Sequence, residues 1–364
     1  MNPRSGAYQH ISIGVRELAK YFEVLPCLPA HPVDCPGGAV TVSEKERKPS
    51  SHLRGSFSDL KTLCRNMLVS VRLVQRIKQQ GSHAVYLRMS YFDPLPVLLW
   101  LCRIPFFIEA NGVQFKSRRR YYASCLERIA WAFELLSYKL STHTFFVGSY
   151  GDYWQLKASN WSNVENGIES TFIRDVSEKS INLDQKLNLG LIARLMSHHQ
   201  IDVLSAAIIH LNDDLRDALR LHLIGSGFEQ LTKDLGGLLE VVNHGFLDRE
   251  GLSECMKNID VGLIAGAQPY SSQMKLFDYG AAKCAVVAAR THHLGAWFSD
   301  AEIEFFEEGD ASGLSKTLKK LIAERERGRG KGEALHRRIK HEFTWESIFE
   351  RKAGVIQSTL PREI

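Results

Sequence analysis

Hydrophobic and polar positions along this chain follow two alternating patterns. Short runs rich in β-branched or aromatic residues are separated by longer stretches whose apolar residues recur at helical spacing. Strands that alternate with amphipathic helices are typical of parallel sheets covered by helices on both faces. The predicted strands span residues 84–87, 105–109, 144–148, 162–165, 187–193, 220–224, 239–246, 261–265, 285–289 and 303–306.

The same pattern predicts the helices and a division into domains. The alternation pauses at residues 169–186, which are polar and show no sustained period, so we interpret this stretch as a linker. A length of 364 residues also exceeds what one core usually supports. We therefore expect an N-terminal domain at 1–168 and a C-terminal domain at 187–342. The predicted helices include residues 10–22, 57–78, 118–139, 201–220, 248–258 and 275–283.

The beginning of the chain departs from a doubly wound domain, which normally opens with a strand followed by a glycine-bearing loop. The segment Pro3-Arg4-Ser5-Gly6-Ala7 has the character of that loop, but no strand pattern precedes it. We therefore expect the first strand of the N-terminal domain to be absent or supplied from elsewhere, as it would be in a sequence that starts late.

Composition and cysteine usage narrow the class of protein. Hydrophobic residues make up 44% and charged residues 24%, which is typical of a globular protein and not of a disordered one. The seven cysteines form no CxxC pair, so neither a zinc knuckle nor a disulfide framework is indicated and no metal site is predicted. The most apolar stretch, 94–108, is short for a bilayer span and includes Arg103. Without a secretory signal pattern, we expect a cytoplasmic protein with reduced thiols.

The most informative segment is SSQMKLFDYGAA at residues 271–282. Ser271 or Ser272 can cap a helix that begins near Gln273, and the free amides at such a helix start favour a phosphate. Asp278 lies about one turn further along, where a carboxylate can accept hydrogen bonds from ribose hydroxyls. An ordinary helix with a serine cap explains this segment equally well when it is taken alone.

This segment resembles the S-P-x-K-x-x-E-Y-x-A-x-G element of glycosyltransferase family 4, whose members are retaining enzymes of the GT-B fold. The matching residues are Ser272, Lys275, Asp278, Tyr279 and Ala281, with Asp278 in place of the usual glutamate. In that family the helix start holds the diphosphate and sugar of the donor, and the acidic residue holds the ribose.

Weaker matches follow the order of the same family over nearly the whole chain. The resemblance implies an α/β protein of the GT-B fold, with two Rossmann-like domains facing a central cleft. It also implies a C-terminal helix, at 343–364, that crosses back to the N-terminal domain. The matching segments are Glu109-Ala110-Asn111-Gly112, Val147-Gly148-Ser149, Asn166-Gly167-Ile168-Glu169, Leu191-Ile192-Ala193-Arg194-Leu195, Leu223-Ile224-Gly225-Ser226-Gly227, Val242-Asn243-His244-Gly245, Ile259-Asp260-Val261 and Phe343-Thr344-Trp345-Glu346.

The resemblance also implies roles for particular residues. Charge builds on the leaving diphosphate as its bond to the sugar weakens, so fixed donors aimed at the phosphate matter most. Arg194 and Lys275 would supply positive charge, and Glu109 would serve as a base or an acceptor ligand. The expected donor-binding residues are Gly6, His199, Gly225, Ser271, Ser272, Gln273, Met274 and Asp278, and the expected acceptor-binding residues are Arg88 and Asn111.

Two positions depart from the pattern of the family. His199 stands where lysine is usual, and we expect its pKa to rise beside a diphosphate, so that it could still donate. Tyr270 stands eight positions before Asp278, where many members carry glutamate. These departures leave open a weakened GT-B homologue that acts as a binding or partner subunit, and a nucleotide-sugar 2-epimerase. A dinucleotide-dependent oxidoreductase is disfavoured because no G-x-G-x-x-G follows a predicted strand.

The implied function is transfer of a hexose from a nucleotide-sugar donor to a glycan or lipid-linked acceptor. We expect retention of configuration, no metal or other cofactor, and a role in surface polysaccharide synthesis of the bacterial type. The basic and aromatic stretch 116–122 suits the anionic inner leaflet of a membrane, although a solvated turn explains it as well. The basic tail, 316–341, lacks interleaved aromatic residues, so no nucleic-acid partner is predicted.

Overall fold

The computed structural model describes residues 6–26, 52–117, 126–157, 159–177 and 186–360. The chain divides into two compact units: Met1–Val164 with Phe349–Ile364, and Glu165–Ile348. Each unit contains a parallel sheet with helices between its strands. The α/β class that the alternating pattern predicts is therefore confirmed.

The sheet of the first unit is built from strands that pair in chain order. All of these pairings are parallel. Every residue of the two central strands is buried, as expected where helices cover both faces of a sheet. The strands are β1 (Val85–Arg88), β2 (Phe106–Ala110), β3 (His143–Val147) and β4 (Trp161–Val164).

The helices of the first unit begin at residue 6, and no strand precedes β1 among the described residues. Residues 118–125 of the predicted helix at 118–139 lie outside the described part of the chain. Within the described residues of both units, no helix is long and apolar enough to cross a bilayer. The helices are α1 (Gly6–Leu18), α2 (His52–Gln79), α3 (Leu95–Leu101), α4 (Gln114–Ser117), α5 (Glu127–Leu140) and α6 (Tyr150–Trp154).

The sheet of the second unit has the strand order β10-β9-β8-β5-β6-β7, again with parallel pairings. This is the order of a doubly wound fold, in which the direction of winding reverses between the first strand and the fourth. The strands are β5 (Leu187–Arg194), β6 (Leu219–Ser226), β7 (Glu240–Gly245), β8 (Val261–Ile264), β9 (Ala285–Ala289) and β10 (Glu304–Phe306).

Local capping explains where several helices of the second unit begin. Asp248, Thr291 and Asp310 each accept a hydrogen bond from the backbone N–H three residues ahead, which satisfies an amide that the helix leaves free. A 3-10 turn, Ser197–His199, follows β5. The helices are α7 (Ser170–Ser177), α8 (Ile201–Ile209), α9 (Asp213–Asp217), α10 (Glu229–Leu235), α11 (Arg249–Met256), α12 (Met274–Ala281), α13 (His292–Trp297), α14 (Ala311–Ala323) and α15 (Arg325–Glu342). A further helix, α16 (Trp345–Thr359), begins in this unit, and its residues from Phe349 onward belong to the first unit.

Alternate residues of β5 and β6 separate two hydrophobic clusters. Leu187, Leu189 and Leu191 belong to one cluster, which α8, α10 and α14 cover. Ile192, at an intervening position of β5, packs against the other cluster, which includes Met256 of α11 and Phe277 of α12. Burial on both faces explains the nearly continuous apolar runs that the sequence shows at these strands.

The segment predicted to be a linker contains α7, a helix of the second unit. Phe172, Ile173 and Val176 of α7 are buried in the second hydrophobic cluster. Just before α7, the Ile168 N–H donates to Phe343 O at 2.9 Å, and the Trp345 N–H donates to Ile168 O at 3.1 Å. The sequence pattern did not reveal this two-turn helix, because it has only three buried apolar residues among polar ones.

A second difference concerns the long helix predicted at 201–220. The structure has two helices there, α8 and α9, because the first ends at Ile209 and the second begins at Asp213. Arg216 of α9 donates to the free carbonyl of Leu211 at 2.8 Å, which stabilises the break. The end of the predicted helix instead forms the start of β6.

Candidate functional site

The reversal of strand order in the second sheet lies between β5 and β8. Ligands of open parallel sheets bind beyond the carboxyl ends of the strands at such a reversal. The two strands pair only at Leu189 with Val261 and at Gly190 with Gly262. Because β5 continues to Arg194 without further pairs to β8, the strands separate towards their carboxyl ends.

Helix α12 packs over this separation and is fixed there by Tyr279. The Tyr279 hydroxyl donates to Gly190 O at 2.9 Å and accepts from the Ile192 N–H at 3.0 Å. Its ring lies so close to β8 that a side chain at Gly262 would meet it at 2.2 Å. The tyrosine thus satisfies backbone groups of β5 that β8 leaves unpaired, and it sets the position of α12.

The turn that leads into α12 is held by hydrogen bonds other than the predicted serine cap. Gln273 occupies the cap position, and no side-chain cap bond is made there. The Ser272 hydroxyl donates to Glu165 and accepts from Asn166 Nδ2 at 3.0 Å. The Ser271 hydroxyl donates to Ser272 O at 3.3 Å. The predicted serine cap is therefore wrong, because tertiary and local bonds engage both hydroxyls.

A buried carboxylate and a buried imidazole support Ser272. Glu165 contacts Ser272 through one oxygen and His293 Nε2 through the other, and the side chains of Glu165 and His293 are almost fully buried. The His293 backbone N–H donates to Pro269 O at 2.8 Å, so the same residue also holds the loop after β8. Sequence analysis missed Glu165 and His293. Glu165 lies more than a hundred residues before both Ser272 and His293, so its contacts with them leave no local pattern.

Lys275 lies in the first turn of α12 and is only 9% exposed. Burial lowers its pKa to about 8. No ion pair to Lys275 is formed by any of the described residues. A buried ammonium without an acidic partner is unfavourable, and a bound anion would remove that cost. Lys275 is therefore the clearest candidate anion ligand of the second unit.

His199 lies in the turn after β5, close enough to Lys275 for positive charges on the two side chains to oppose each other. Burial, and then the charge of Lys275, lower the His199 pKa to about 4. Its Nδ1 accepts from the Met196 N–H at 3.0 Å, so the ring proton sits on Nε2. The structure thus presents His199 as a neutral donor, and the rise of its pKa beside a diphosphate stays a prediction.

Arg194 and Gly225 lie at the carboxyl ends of β5 and β6. Arg194 is exposed and forms no ion pair with the described residues. Gly225 has φ 128°, and a side chain there would place its Cβ 1.9 Å from Ala193 O. Only glycine permits this approach of the two strands beside Arg194.

Asp278 is mostly buried on α12, and its Oδ1 accepts from Arg249 Nη1 at 2.8 Å. Burial raises its pKa, which the charge of Arg249 partly opposes. The Arg249 guanidinium also stacks 3.4 Å from the centre of the Phe172 ring on α7. A ribose bound to Asp278 would therefore share the carboxylate with Arg249.

Most of the predicted donor residues lie at one edge of the second unit, on the segments that follow β5, β6 and β8. Among them Met274 is exposed at the first position of α12. Gly6 is in the first unit and opens α1, whereas a phosphate-facing loop was predicted; residues 1–5 of that loop lie outside the described residues.

Glu109, the expected base or acceptor ligand, is buried on β2. Its carboxylate accepts from Tyr86 Oη at 2.7 Å and from Lys352 Nζ of α16 at 2.6 Å. Asn111 Nδ2 also donates to it, at 3.2 Å. A carboxylate with three donors and almost no exposure is a structural group, so the geometry does not support its expected role as a base.

The two expected acceptor residues lie beside Glu109. Arg88 ends β1 at the position paired with Glu109, and its Nη1 is buried without a hydrogen-bond partner among the described residues. Asn111 Oδ1 is likewise buried without such a partner. Unsatisfied buried polar atoms are unusual in proteins and mark places where a ligand or water can bind.

One group of side chains in the second unit has the chemistry of a metal site. His222, His244 and Cys255 place their potential ligand atoms within 4.8 Å of one another. The sequence predicted no metal site, because the three residues are distant in the chain and belong to β6, β7 and α11.

Two parallel sheets of this organisation, each with helices between its strands, define the GT-B fold within the α/β class. Residues 206–352 match the family model described as "Glycosyl transferase-like". That match covers β6 to β10 and the helices among them, and includes Lys275 and Asp278. No curated protein sequence matches the chain significantly.

Three solved structures with this fold are a synthase, OtsA and a protein in complex with UDP-glucose. Sucrose-phosphate synthase from Thermosynechococcus elongatus aligns with a TM-score of 0.68 and 14% identity, over 97% of this chain and 93% of that one. OtsA aligns with a TM-score of 0.63 and 12% identity, over 83% and 77%. Anabaena HepE in complex with UDP-glucose aligns with a TM-score of 0.59 and 12% identity, over 79% and 82%. At these identities the similarity establishes the fold.

Proposed function

We propose that this chain is a glycosyltransferase that binds a nucleotide-sugar donor at the carboxyl edge of the second sheet. The observation that carries the proposal is Lys275, a buried ammonium without an acidic partner among the described residues, at the start of the helix beside the strand reversal. The glycosyl transferase-like match over residues 206–352 supports it, as does the UDP-glucose bound by HepE.

The proposed donor site holds the diphosphate by charge and by backbone amides. Lys275 supplies a buried positive charge, and Arg194 supplies an exposed one. The uncapped amides at the start of α12 add hydrogen-bond donors that already point along the helix axis. His199 contributes a neutral Nε2–H in place of the lysine that is usual in glycosyltransferase family 4. These fixed donors would stabilise the charge that develops on the leaving diphosphate.

The nucleoside part of the donor would lie further along α12. Asp278 retains one carboxylate oxygen, Oδ2, for the ribose hydroxyls while Oδ1 accepts from Arg249. Gly225 keeps the ends of β5 and β6 close together, so that the backbone of this turn can approach the ligand. Charge-assisted hydrogen bonds that a carboxylate accepts from ribose hydroxyls are stronger than neutral ones, which would favour a nucleotide over a simple phosphate.

We further propose transfer with retention, of a hexose, to a glycan or lipid-linked acceptor in surface polysaccharide synthesis. The protein ligands proposed for the diphosphate already carry positive charge, so the reaction would need no metal ion at that place. Arg88 and Asn111, with buried unsatisfied atoms, are the proposed acceptor ligands. Glu109 is withdrawn from this set because Lys352 and Tyr86 occupy its carboxylate.

A peripheral contact with the anionic inner leaflet is proposed for the first unit. Helix α3 packs against α2 and α5, and these helices expose large apolar side chains. Trp100 is 52% exposed, Leu101 62% and Trp131 44%. Exposed apolar groups of this kind favour a membrane or another protein surface. Of the basic stretch at 116–122, residues 118–122 lie outside the described residues, and Lys116 stacks 4.6 Å from the Tyr153 ring centre.

Vesicle co-sedimentation tests this contact. We expect the protein to bind vesicles that contain phosphatidylglycerol more strongly than neutral ones, and we expect Trp100→Ala with Leu101→Ala to reduce that binding. Phe246→Ala in the second unit, which removes a side chain 87% exposed, is the matched control and should have no effect. Equal binding by the double variant and the wild type would contradict the proposed contact.

Thermal shift with a panel of UDP-, GDP- and CMP-sugars tests the donor site. A ligand that binds the folded state raises Tm by mass action. We expect one class of nucleotide sugar to raise Tm, and Lys275→Met to abolish the shift while the variant stays at least as stable, because it removes a buried unpaired charge. Lys316→Met, on the exposed face of α14, is the control and should shift like the wild type. A flat response to every sugar would contradict the proposal.

The neutral state of His199 favours a second candidate function. With its pKa near 4, this residue provides no second buried cation beside Lys275. A homologue that binds the donor with weak transfer, acting as a partner subunit, fits that arrangement. Saturable donor binding without turnover on a broad panel of acceptors would support this candidate over the transferase.

A further inference from the structure

We propose that His222, His244 and Cys255 form a Zn²⁺ site in the second unit. Their potential ligand atoms lie within 4.8 Å of one another, on β6, β7 and α11. Two imidazoles and a thiolate suit Zn²⁺, which prefers nitrogen and sulfur ligands and can take water as a fourth. The cluster shares β6 with the proposed donor site, but no residue belongs to both, and its test does not depend on donor binding.

The distances between the potential ligand atoms span the values expected between the ligands of a tetrahedral zinc ion. His222 Nδ1 and His244 Nε2 are 2.9 Å apart. With Zn–N near 2.0–2.1 Å and Zn–S near 2.3 Å, ligand atoms lie about 3.3–3.6 Å from one another. The two nitrogens would separate by about 0.4 Å, and the Cys255 sulfur would move in by at most about 1.5 Å. Side-chain rotation alone covers shifts of that size.

A chain of hydrogen bonds already directs the His222 lone pair into the cluster. Asn188 Nδ2 donates to Asp260 at 3.2 Å, which turns Asn188 Oδ1 towards His222 Nε2, also at 3.2 Å. An amide oxygen can only accept, so the ring proton sits on Nε2 and the Nδ1 lone pair faces His244. Metal-bound imidazoles are oriented in this way by an acceptor on the other ring nitrogen.

Cys255 is a half-buried free thiol. Zn²⁺ would displace the thiol proton to solvent and form a Zn–S bond. The bound ion would join α11 to β6 and to β7, which ends the sheet. Arg249, at the start of α11, would thereby be held in place beside Asp278.

Cobalt titration of the full-length protein tests the site. The protein, reduced and freed of metal with a chelator, is titrated with Co²⁺ and then with Zn²⁺. We expect one equivalent of Co²⁺ to give a thiolate-to-cobalt charge-transfer band and intense visible bands of tetrahedral coordination, and Zn²⁺ to remove them. Zn²⁺ should also raise Tm.

Variants assign the signal to these residues. Cys255→Ser should remove the charge-transfer band, whereas Cys102→Ser, at a half-buried free thiol of the first unit, should leave it unchanged. Asn188→Ala should lower the affinity by about 10–100-fold, as loss of such supporting bonds does in other sites. His222→Gln should also weaken the visible bands, and His244→Gln, at a half-exposed position, gives the same test if His222→Gln does not fold. No charge-transfer band in the wild type, or a band unchanged in Cys255→Ser, overturns the proposal.

Discussion

Lys352 Nζ lies 2.6 Å from Glu109 Oε2 in the first unit, and each side chain is at most 3% exposed. The pair joins α16, near the end of the chain, to β2 in the middle of the first sheet. Tyr86 donates to the same carboxylate oxygen, and burial raises the pKa of that tyrosine well above its usual value. The pair is thus a structural element, and its removal is expected to change stability first.

Glu109→Gln should lower the free energy of unfolding by about 3–5 kcal/mol, because it leaves the Lys352 charge buried and unpaired. Urea denaturation measures the change. Glu333→Gln is the control, since its exposed pair with Arg329 should contribute less than about 1 kcal/mol. The double variant Glu109→Gln, Lys352→Met should recover part of the loss. Equal effects of Glu109→Gln and Glu333→Gln would contradict the structural role.

UDP affinity should fall as the pH rises through the Lys275 pKa of about 8. The ammonium that attracts the diphosphate is present below that pH and is lost above it, so affinity is highest below pH 8 and declines by up to tenfold per unit above it. Calorimetry between about pH 7 and pH 9.5 measures this decline. Lys275→Arg should flatten the profile, because a guanidinium stays charged throughout. A wild-type affinity independent of pH would exclude Lys275 from the anion site.

The charge on Lys275 should favour UDP binding but lower the free energy of unfolding. A lysine whose folded pKa is lowered destabilises the fold while it is charged, so the penalty is present below about pH 8 and disappears towards pH 10.5. Lys275→Met should therefore raise the free energy of unfolding at neutral pH and have little effect at high pH. A variant that is less stable than the wild type at neutral pH would contradict this account.

Ser272→Ala should weaken UDP binding through the turn that enters α12. The hydroxyl connects that turn to Glu165, whose other oxygen contacts His293. Ser299→Ala is a matched control, because Ser299 also donates to a glutamate, Glu302, at 2.9 Å in the same unit. Each substitution should cost about 1 kcal/mol of stability. Only Ser272→Ala should lower UDP affinity in calorimetry, and equal affinities of the two variants would remove Ser272 from the site.

Gly225→Ala should destabilise the second unit by about 2–5 kcal/mol, since it combines an unfavourable φ with a contact of 1.9 Å to Ala193 O. Gly245→Ala separates the two causes, because Gly245 has φ 63° and no atom within 4 Å of an added Cβ. We expect that control to cost about 1–2 kcal/mol. Urea denaturation compares them, and similar losses would indicate that backbone strain alone makes Gly225 necessary.

The strands were predictable because buried parallel strands leave short apolar runs. The run at 285–289 coincides with β9, and the run at 187–193 ends one residue before β5 does. Short helices were harder: α7 spans only eight residues, and its three buried side chains are too few to establish a period. The break between α8 and α9 is stabilised by hydrogen bonds from the Arg216 side chain to carbonyls five and seven residues earlier, and it involves no glycine or proline.

The site was predictable as far as its residues follow a strand end or a helix start. Lys275 and Asp278 fall on the first turns of α12, as the pattern at 271–282 indicates. The bonding of Ser272 was not predictable, because Glu165 is distant in sequence and a local capping rule favoured another arrangement. The lowered pKa of His199 was also not predictable from the sequence, because it depends on burial and on the charge of Lys275.

The main-chain hydrogen bonds of Ile168, and helix α7 that follows it, determine where a fragment of the second unit can begin. A fragment that starts at residue 187 would lose the main-chain bonds between Ile168 and Phe343–Trp345. It would also expose the surface of α12 that Phe172, Ile173 and Val176 cover. We expect such a fragment to aggregate. A fragment that begins at Glu165 keeps these contacts, together with the carboxylate that supports Ser272.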